Sequence, residues 1–120
     1  MFLDKLKENE RFMLDMMGED YSRGARLLEW LEVGENIHLS IQASPIHYCS
    51  PREMIDLDDY THFELALIVD NEVCYNSEKI KDFPQYNELT EYHDGMIFSY
   101  VPRELISNLY CWSLDYFKEG

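Results

Sequence analysis

Basic side chains are scarce in this sequence. The 120 residues include 10 lysines and arginines against 24 aspartates and glutamates, so the formal net charge is −14. Acidic residues occur between Arg52 and Lys79, and again between Lys81 and Arg103, without a basic residue among them. A field of this sign repels nucleic acid and anionic membranes and attracts basic surfaces. We therefore expect no direct binding to nucleic acid or to a membrane, and a basic protein as the partner.

The sequence also lacks the motifs that mark metal, cofactor and disulfide chemistry. Its three cysteines are widely spaced and include no Cys-x-x-Cys pair, which indicates neither a zinc site nor a disulfide framework. It contains no P-loop, dinucleotide-binding glycine pattern, nucleophile elbow, zincin helix or EF-hand loop. The first residues do not read as a signal peptide, and no apolar run approaches the ~18 residues of a membrane span. We expect a reduced, cytoplasmic protein that is not an enzyme and holds neither cofactor nor metal.

Alternation of apolar and polar residues with period two predicts the strands. The segments with this pattern are 37–44, 60–70, the short return 73–75, and 96–101. Near the C-terminal end of segment 60–70 the residues on both faces of the strand are apolar. This predicts that both faces are buried at that end. Asp70 and Asn71 supply a turn signal between that segment and the short return.

Helical spacing of apolar residues predicts three helices. They cover residues 2–17, residues 19–33 and the C-terminal segment that opens at Pro102. In residues 76–95 the apolar residues follow no sustained periodicity. We expect a long surface segment there that is held by aromatic side chains and contains a short helical turn. The result is an α+β fold, in which two N-terminal helices and one C-terminal helix pack on a mostly antiparallel sheet of three to four strands. The chain is a single domain, 1–120, with a helical part at 1–34 and the sheet and last helix at 37–118.

The acidic side chains supply the leading candidate site. Carboxylates on a rigid scaffold can stand where a basic protein would hold phosphates, and tyrosine offers contact area with a polar tip. The predicted partner-binding residues are of these two kinds: Asp56, Asp58, Asp59, Tyr60, Asp70, Glu72, Glu88, Glu91 and Tyr92. This hypothesis requires that the carboxylates be concentrated on one presented surface.

The loop after the first predicted strand supplies an alternative, a small-ligand or metal-binding site. Its candidate residues are Ser44, His47, Tyr48, Cys49 and Arg52. His47 and Cys49 stand two apart, so an extended loop would point them the same way, as a nucleophile pair requires. No glycine-rich oxyanion turn accompanies them, so catalysis is not predicted here.

Four segments resemble a pattern found in small uncharacterised proteins of bacteriophages and prophages. They are residues 40–44, 47–52, 60–64 and 100–105, within a stretch from Ile37 to Leu109. The resemblance implies no particular activity and assigns no residue a role. It implies a host-interaction role in the host cytoplasm, with inhibitors of host defence such as anti-CRISPR proteins as the leading class. A structural or assembly component of the virion is a further alternative, and that role predicts a stable homo-oligomer.

Overall fold

Five strands and two α-helices occur in the part of the chain that the computed structural model describes, which is residues 2–8, 27–44, 47–53 and 55–118. In chain order these elements are β1 (Leu31–Gly34), β2 (Ile37–Gln42), β3 (His62–Val69), β4 (Glu72–Val73), α1 (Tyr86–Thr90), β5 (Phe98–Pro102) and α2 (Arg103–Tyr116). Short 3-10 helices occur at Phe2–Lys5, Leu57–Asp59 and Glu78–Ile80. The α+β class with an antiparallel sheet and a C-terminal helix is confirmed, and the sheet has five strands where three to four were expected.

The long strand β3 is the centre of the sheet. One of its edges pairs with β2, which in turn pairs with β1. Its other edge is shared, because β5 pairs with the first half of β3 and β4 pairs with the last two residues. All of these pairings are antiparallel, and the register of the central pair sets Leu39 against Leu67 and Ile41 against Leu65.

The core lies between one face of this sheet and α2. Leu39 and Ile41 of β2 and Leu65 of β3 are buried on that face, as the period of the sequence predicts. Each such side chain contributes about 1.5–3 kcal/mol when it leaves water. On the opposite face of β3, Ala66 and Ile68 are also buried, which agrees with the prediction that this end is covered on both sides.

Two tight turns, one between β1 and β2 and one between β3 and β4, lie at the same end of the sheet. Asp70 and Asn71 connect β3 to β4 with φ of 54° and 67°. Both values lie in the left-handed region that two-residue hairpins of the common primed type require, and Asp and Asn tolerate it better than most residues. The β1–β2 turn contains Asn36 with φ of 59°, and its carbonyl accepts the Asp70 N–H at 2.9 Å.

The N-terminal part departs from the helical prediction for residues 1–34. The helix expected over 2–17 begins as a 3-10 helix, but Glu8 forms an isolated β-bridge with Leu28, and residues 9–17 lie outside the described residues. The helix expected over 19–33 is wrong at its described end, because Leu31–Gly34 is strand β1 and residues 27–30 are not helical. The leucine spacing fits a helix, but hydrogen bonding along the edge of β2 overrides local propensity.

The C-terminal helix α2 is where the sequence places it. Its buried residues are Leu105, Ile106, Leu109, Tyr110 and Ser113, whereas Tyr116 is exposed. The segment between β4 and β5 is held by buried aromatic and aliphatic side chains, as expected, and Phe83 packs against Trp112 with ring centroids 5.5 Å apart.

Candidate interaction surface

Acidic side chains dominate the exposed surface of the described segments. Every aspartate and glutamate in these segments is exposed except Glu64, which is half-buried. Within the same segments, three carboxylates lie within ion-pair distance of a basic group. These are Glu32 with His38, Asp58 with Arg103, and Asp115 with Lys118.

The structure places the predicted partner-binding carboxylates in three groups. Asp56, Asp58 and Asp59 lie at the start of β3, on and beside the 3-10 helix Leu57–Asp59, whereas Asp70 and Glu72 lie at its other end. The eight residues of β3 separate these two groups by about 26 Å. The third group, Glu88 and Glu91, lies in and just after α1. The carboxylates therefore do not form the single concentrated surface that the hypothesis requires, and a partner would have to contact three separate groups.

An acidic cleft lies beside the first of these groups. Its walls are Leu3, Asp4, Leu6, Glu8, Asp56, Leu57 and Asp58, and its volume is about 490 Å³. Leucine side chains with carboxylates around them suit a lysine or arginine, because the aliphatic stem of such a side chain packs on apolar surface. Arg103 already pairs with Asp58. Its guanidinium donates to the Asp58 carbonyl at 2.6 Å and lies 3.7 Å from the Asp58 carboxylate.

The prediction that Tyr60 contacts a partner is wrong. Its side chain is fully buried, and its ring lies 5.7 Å from that of Phe63. The hydroxyl donates to the Glu53 carbonyl and accepts the Ile55 N–H at 3.4 Å. The alternating pattern of the strand extends apolar packing back to Tyr60, and its polar tip is satisfied by the backbone of the preceding loop.

Tyr92, the other predicted aromatic contact, is half-buried and packs against the core. Its carbonyl accepts the Ser99 N–H at 2.9 Å, which holds the segment after α1 against β5. Tyr92 therefore has less surface to offer a partner than an exposed tyrosine would.

Three of the candidate ligand residues are directed into the protein. Ser44, His47 and Cys49 are buried. The Ser44 hydroxyl and His47 Nδ1 share a hydrogen bond of 2.7 Å, and the Cys49 thiol donates to the Ser44 carbonyl at 3.3 Å. The sequence spacing did bring these side chains together, but their contacts close the loop, and none of the three is open to a ligand from solvent.

The other two candidate ligand residues, Tyr48 and Arg52, are exposed and join a different group of side chains. The Tyr48 N–H donates to Glu64 Oε2 at 2.9 Å, and its carbonyl accepts the Tyr100 N–H at 3.0 Å. The rings of Tyr48 and Tyr100, which we call the tyrosine pair, have centroids 6.0 Å apart. The Arg52 guanidinium carbon lies 5.4 Å from the centroid of the Tyr48 ring.

A bulge in β5 creates this arrangement. Phe63 pairs with Val101 and Leu65 pairs with Phe98, so two residues of β5, including Tyr100, lie opposite Glu64. Tyr100 has φ of 55°, in the left-handed region that a bulky residue adopts only under strain. The bulge interrupts the ladder at Glu64 and turns the Tyr100 N–H toward the loop that carries Tyr48.

The titration of Glu64 reflects its position between these residues. Burial raises the pKa of Glu64, and the Tyr48 N–H bond lowers it by a smaller amount. The Asp94 carboxylate also raises the pKa, and Arg52 lowers it. Asp94 itself has a lowered pKa, first because its carboxylate accepts the Ile97 and Met96 N–H groups.

Sequence reasoning named Tyr48 and Arg52 but missed Glu64, Asp94 and Tyr100. Glu64 looked like an ordinary outward-facing strand residue, and Asp94 looked like part of a turn. The Asp94-Gly95 pair is the one sequence signal of a tight connection before β5. Nothing in the sequence marks the bulge, because it has no glycine at the residue with positive φ.

In the described segments, no group of three or more histidine, cysteine, aspartate or glutamate residues is placed to hold a metal ion. None of the helices there has the length and apolar character needed to cross a membrane. No protein-family model matches the chain, and neither the curated proteins nor the solved structures give a significant match.

Proposed function

We propose that this chain is a non-enzymatic acidic binding protein of phage origin. It acts in the host cytoplasm and covers a basic, nucleic-acid-binding surface of a host protein, as an inhibitor of host defence of the anti-CRISPR type. The observation that carries the proposal is the exposure of almost all described carboxylates, few of which are paired with a basic group.

Exposed, unpaired carboxylates keep their charge available for a partner. Each contact between such a carboxylate and a lysine or arginine contributes about 0.2–1 kcal/mol in water. A high affinity for the partner therefore requires many such contacts. The same charge steers a basic partner into encounter, and salt weakens that steering. The proposal therefore requires a partner with an extended basic surface.

The separation of the acidic groups fits a partner that binds a duplex. The two groups at the ends of β3 lie about 26 Å apart, which corresponds to about eight base pairs of B-DNA at 3.4 Å each. A protein that holds phosphates over that length would meet Asp56 and Asp59 at one end and Asp70 and Glu72 at the other.

The test immobilises the purified chain and exposes it to bacterial lysate that has been treated with nuclease. Bound protein is then displaced with duplex DNA at low salt, and separately with high salt. The proposal predicts a basic protein that leaves the chain in both cases, because DNA competes for the surface that the carboxylates cover. Recovery of no protein that DNA displaces would overturn it.

A charge-matched pair of variants locates the surface. The double variant Asp56→Asn with Asp59→Asn removes two exposed carboxylates at the start of β3 and leaves the Asp58–Arg103 contact in place. We expect about threefold to tenfold weaker capture. The control, Glu78→Gln with Glu104→Gln, removes the same charge at exposed positions outside the predicted set. Equal loss in both double variants would mean that net charge alone, and not this surface, determines binding.

A further inference from the structure

Tyr100 combines strain with exposure. Its φ of 55° is unfavourable for a residue with a Cβ, and its side chain is 41% exposed. A glycine or asparagine would hold the same bulge with less strain. Burial does not explain the large ring at this position, which lies beside the ring of Tyr48.

A cation already lies on the neighbouring ring. The guanidinium carbon of Arg52 is 5.4 Å from the Tyr48 centroid, within the ~6 Å at which a cation is attracted to an aromatic face. Tyr48 is 45% exposed, and Tyr100 provides a second ring inclined at 49° to the first. The tyrosine pair therefore presents two aromatic surfaces where the protein itself places a guanidinium.

The charge beside the tyrosine pair favours a second cation. Glu64 and Asp94 are close enough to influence each other, and the basic side chain of Arg52 also acts on Glu64. One oxygen of Glu64 accepts the Tyr48 N–H, while Oε1 accepts no hydrogen bond from the described residues.

We propose that the tyrosine pair and Glu64 form a receptor for an arginine side chain of the basic partner. The guanidinium packs against the rings of Tyr48 and Tyr100 and donates to the Glu64 carboxylate. Arginine fits better than lysine, because its planar, weakly hydrated group both stacks and donates, whereas an ammonium is a strongly hydrated point charge. The inference rests on the proposed function, since the basic partner supplies the arginine.

The test compares octa-arginine with octa-lysine, two peptides of equal charge, by titration into the whole purified chain and fluorescence anisotropy of the labelled peptide. We expect octa-arginine to bind about threefold to tenfold more tightly, since each stacked cation gains more than screened charge alone. The preference should disappear in Tyr100→Gly and in Tyr48→Ala. Glu64→Gln should reduce it while preserving the side-chain shape.

Tyr75→Ala is the matched control, because Tyr75 is 55% exposed and lies away from the bulge. The control should keep the preference for arginine. Thermal unfolding shows whether each variant is folded, and Tyr100→Gly should be at least as stable as the original chain because it relieves the strained φ.

The outcomes separate the two proposals. Equal affinity for the two peptides, or an arginine preference that survives Tyr100→Gly, would refute the arginine receptor and leave the acidic binding function intact. Binding of neither peptide would count against both proposals.

Discussion

Substitution of Gln42 is a stringent test of the structure. Its side-chain amide makes the two hydrogen bonds to the Leu28 backbone that a neighbouring strand would otherwise make. Gln42 Oε1 accepts the Leu28 N–H at 2.8 Å, and Nε2 donates to the Leu28 carbonyl at 2.9 Å and to the Ser40 hydroxyl at 3.0 Å. Gln42 is 3% exposed and Leu28 is 1% exposed, so water cannot take over these bonds. The amide therefore fixes the segment that leads into β1.

Gln42→Met keeps the volume of the side chain and removes both bonds to Leu28. Each backbone group left buried without a partner costs about 1–3 kcal/mol, and part of this is offset by the apolar methionine. We expect the free energy of unfolding to fall by about 2–4 kcal/mol, or the midpoint of thermal unfolding to fall by roughly 8–16 °C. Urea unfolding and calorimetry measure these two quantities.

Two further variants separate hydrogen bonding from packing. Gln42→Glu should be strongly destabilised at neutral pH and should recover as the pH falls, because a protonated carboxyl again donates to the Leu28 carbonyl. Gln85→Met is the control, since Gln85 makes its side-chain bonds to Glu88 and Asn108 at the surface. We expect less than about 0.5 kcal/mol there. A Gln42→Met protein within about 0.5 kcal/mol of the original would refute the argument.

Three other changes test the structure more briefly. Burial raises the pKa of Glu64 above 4.5, so its contribution to stability is complete below that pH and is lost as the pH rises through the raised pKa. Glu64→Gln should remove this dependence of the free energy of unfolding on pH. Urea unfolding of both proteins at several pH values measures it, and an equal pH dependence in the two proteins would contradict the prediction. Ser113 is fully buried, and its hydroxyl has no hydrogen-bond partner in the part of the chain that is described. Ser113→Ala should therefore raise the free energy of unfolding by about 1 kcal/mol, as measured in urea, and any loss of stability would show that the hydroxyl has a role. A Cβ on Gly34 would lie 2.5 Å from the Phe117 Cβ, so Gly34→Ala should cost about 1–3 kcal/mol in the same assay. Adding Phe117→Leu should give no rescue, because leucine keeps the clashing Cβ.

Local pattern was enough to predict the central elements of this fold. The alternation that begins at Ile37, the Asp70-Asn71 turn and the proline before α2 each act through neighbouring residues. The error at Leu31 has a different origin. Its helical spacing with Leu27 and Leu28 is real, but the edge of β2 offers hydrogen bonds that no local rule contains.

The interaction surface was less accessible to sequence reasoning. Exposure of the acids was a sound expectation, but their grouping depends on the length of β3, which places Asp58 and Asp70 at opposite ends. Tyr60 was misread because a tyrosine with a buried ring and a satisfied hydroxyl looks the same in sequence as an exposed one. Glu64 acquires its environment from a bulge in a strand more than thirty residues away.

The shared edge of β3 also has a consequence for self-association. A sheet grows into fibres when a long, straight strand offers its free backbone groups to another copy. Here that side of β3 is closed by a two-residue strand and by a five-residue strand that ends in proline and is broken by a bulge. The short lengths, the kink and the missing proline N–H leave little template for an incoming strand, so this side of the sheet resists amyloid-like stacking even when the chain is highly concentrated.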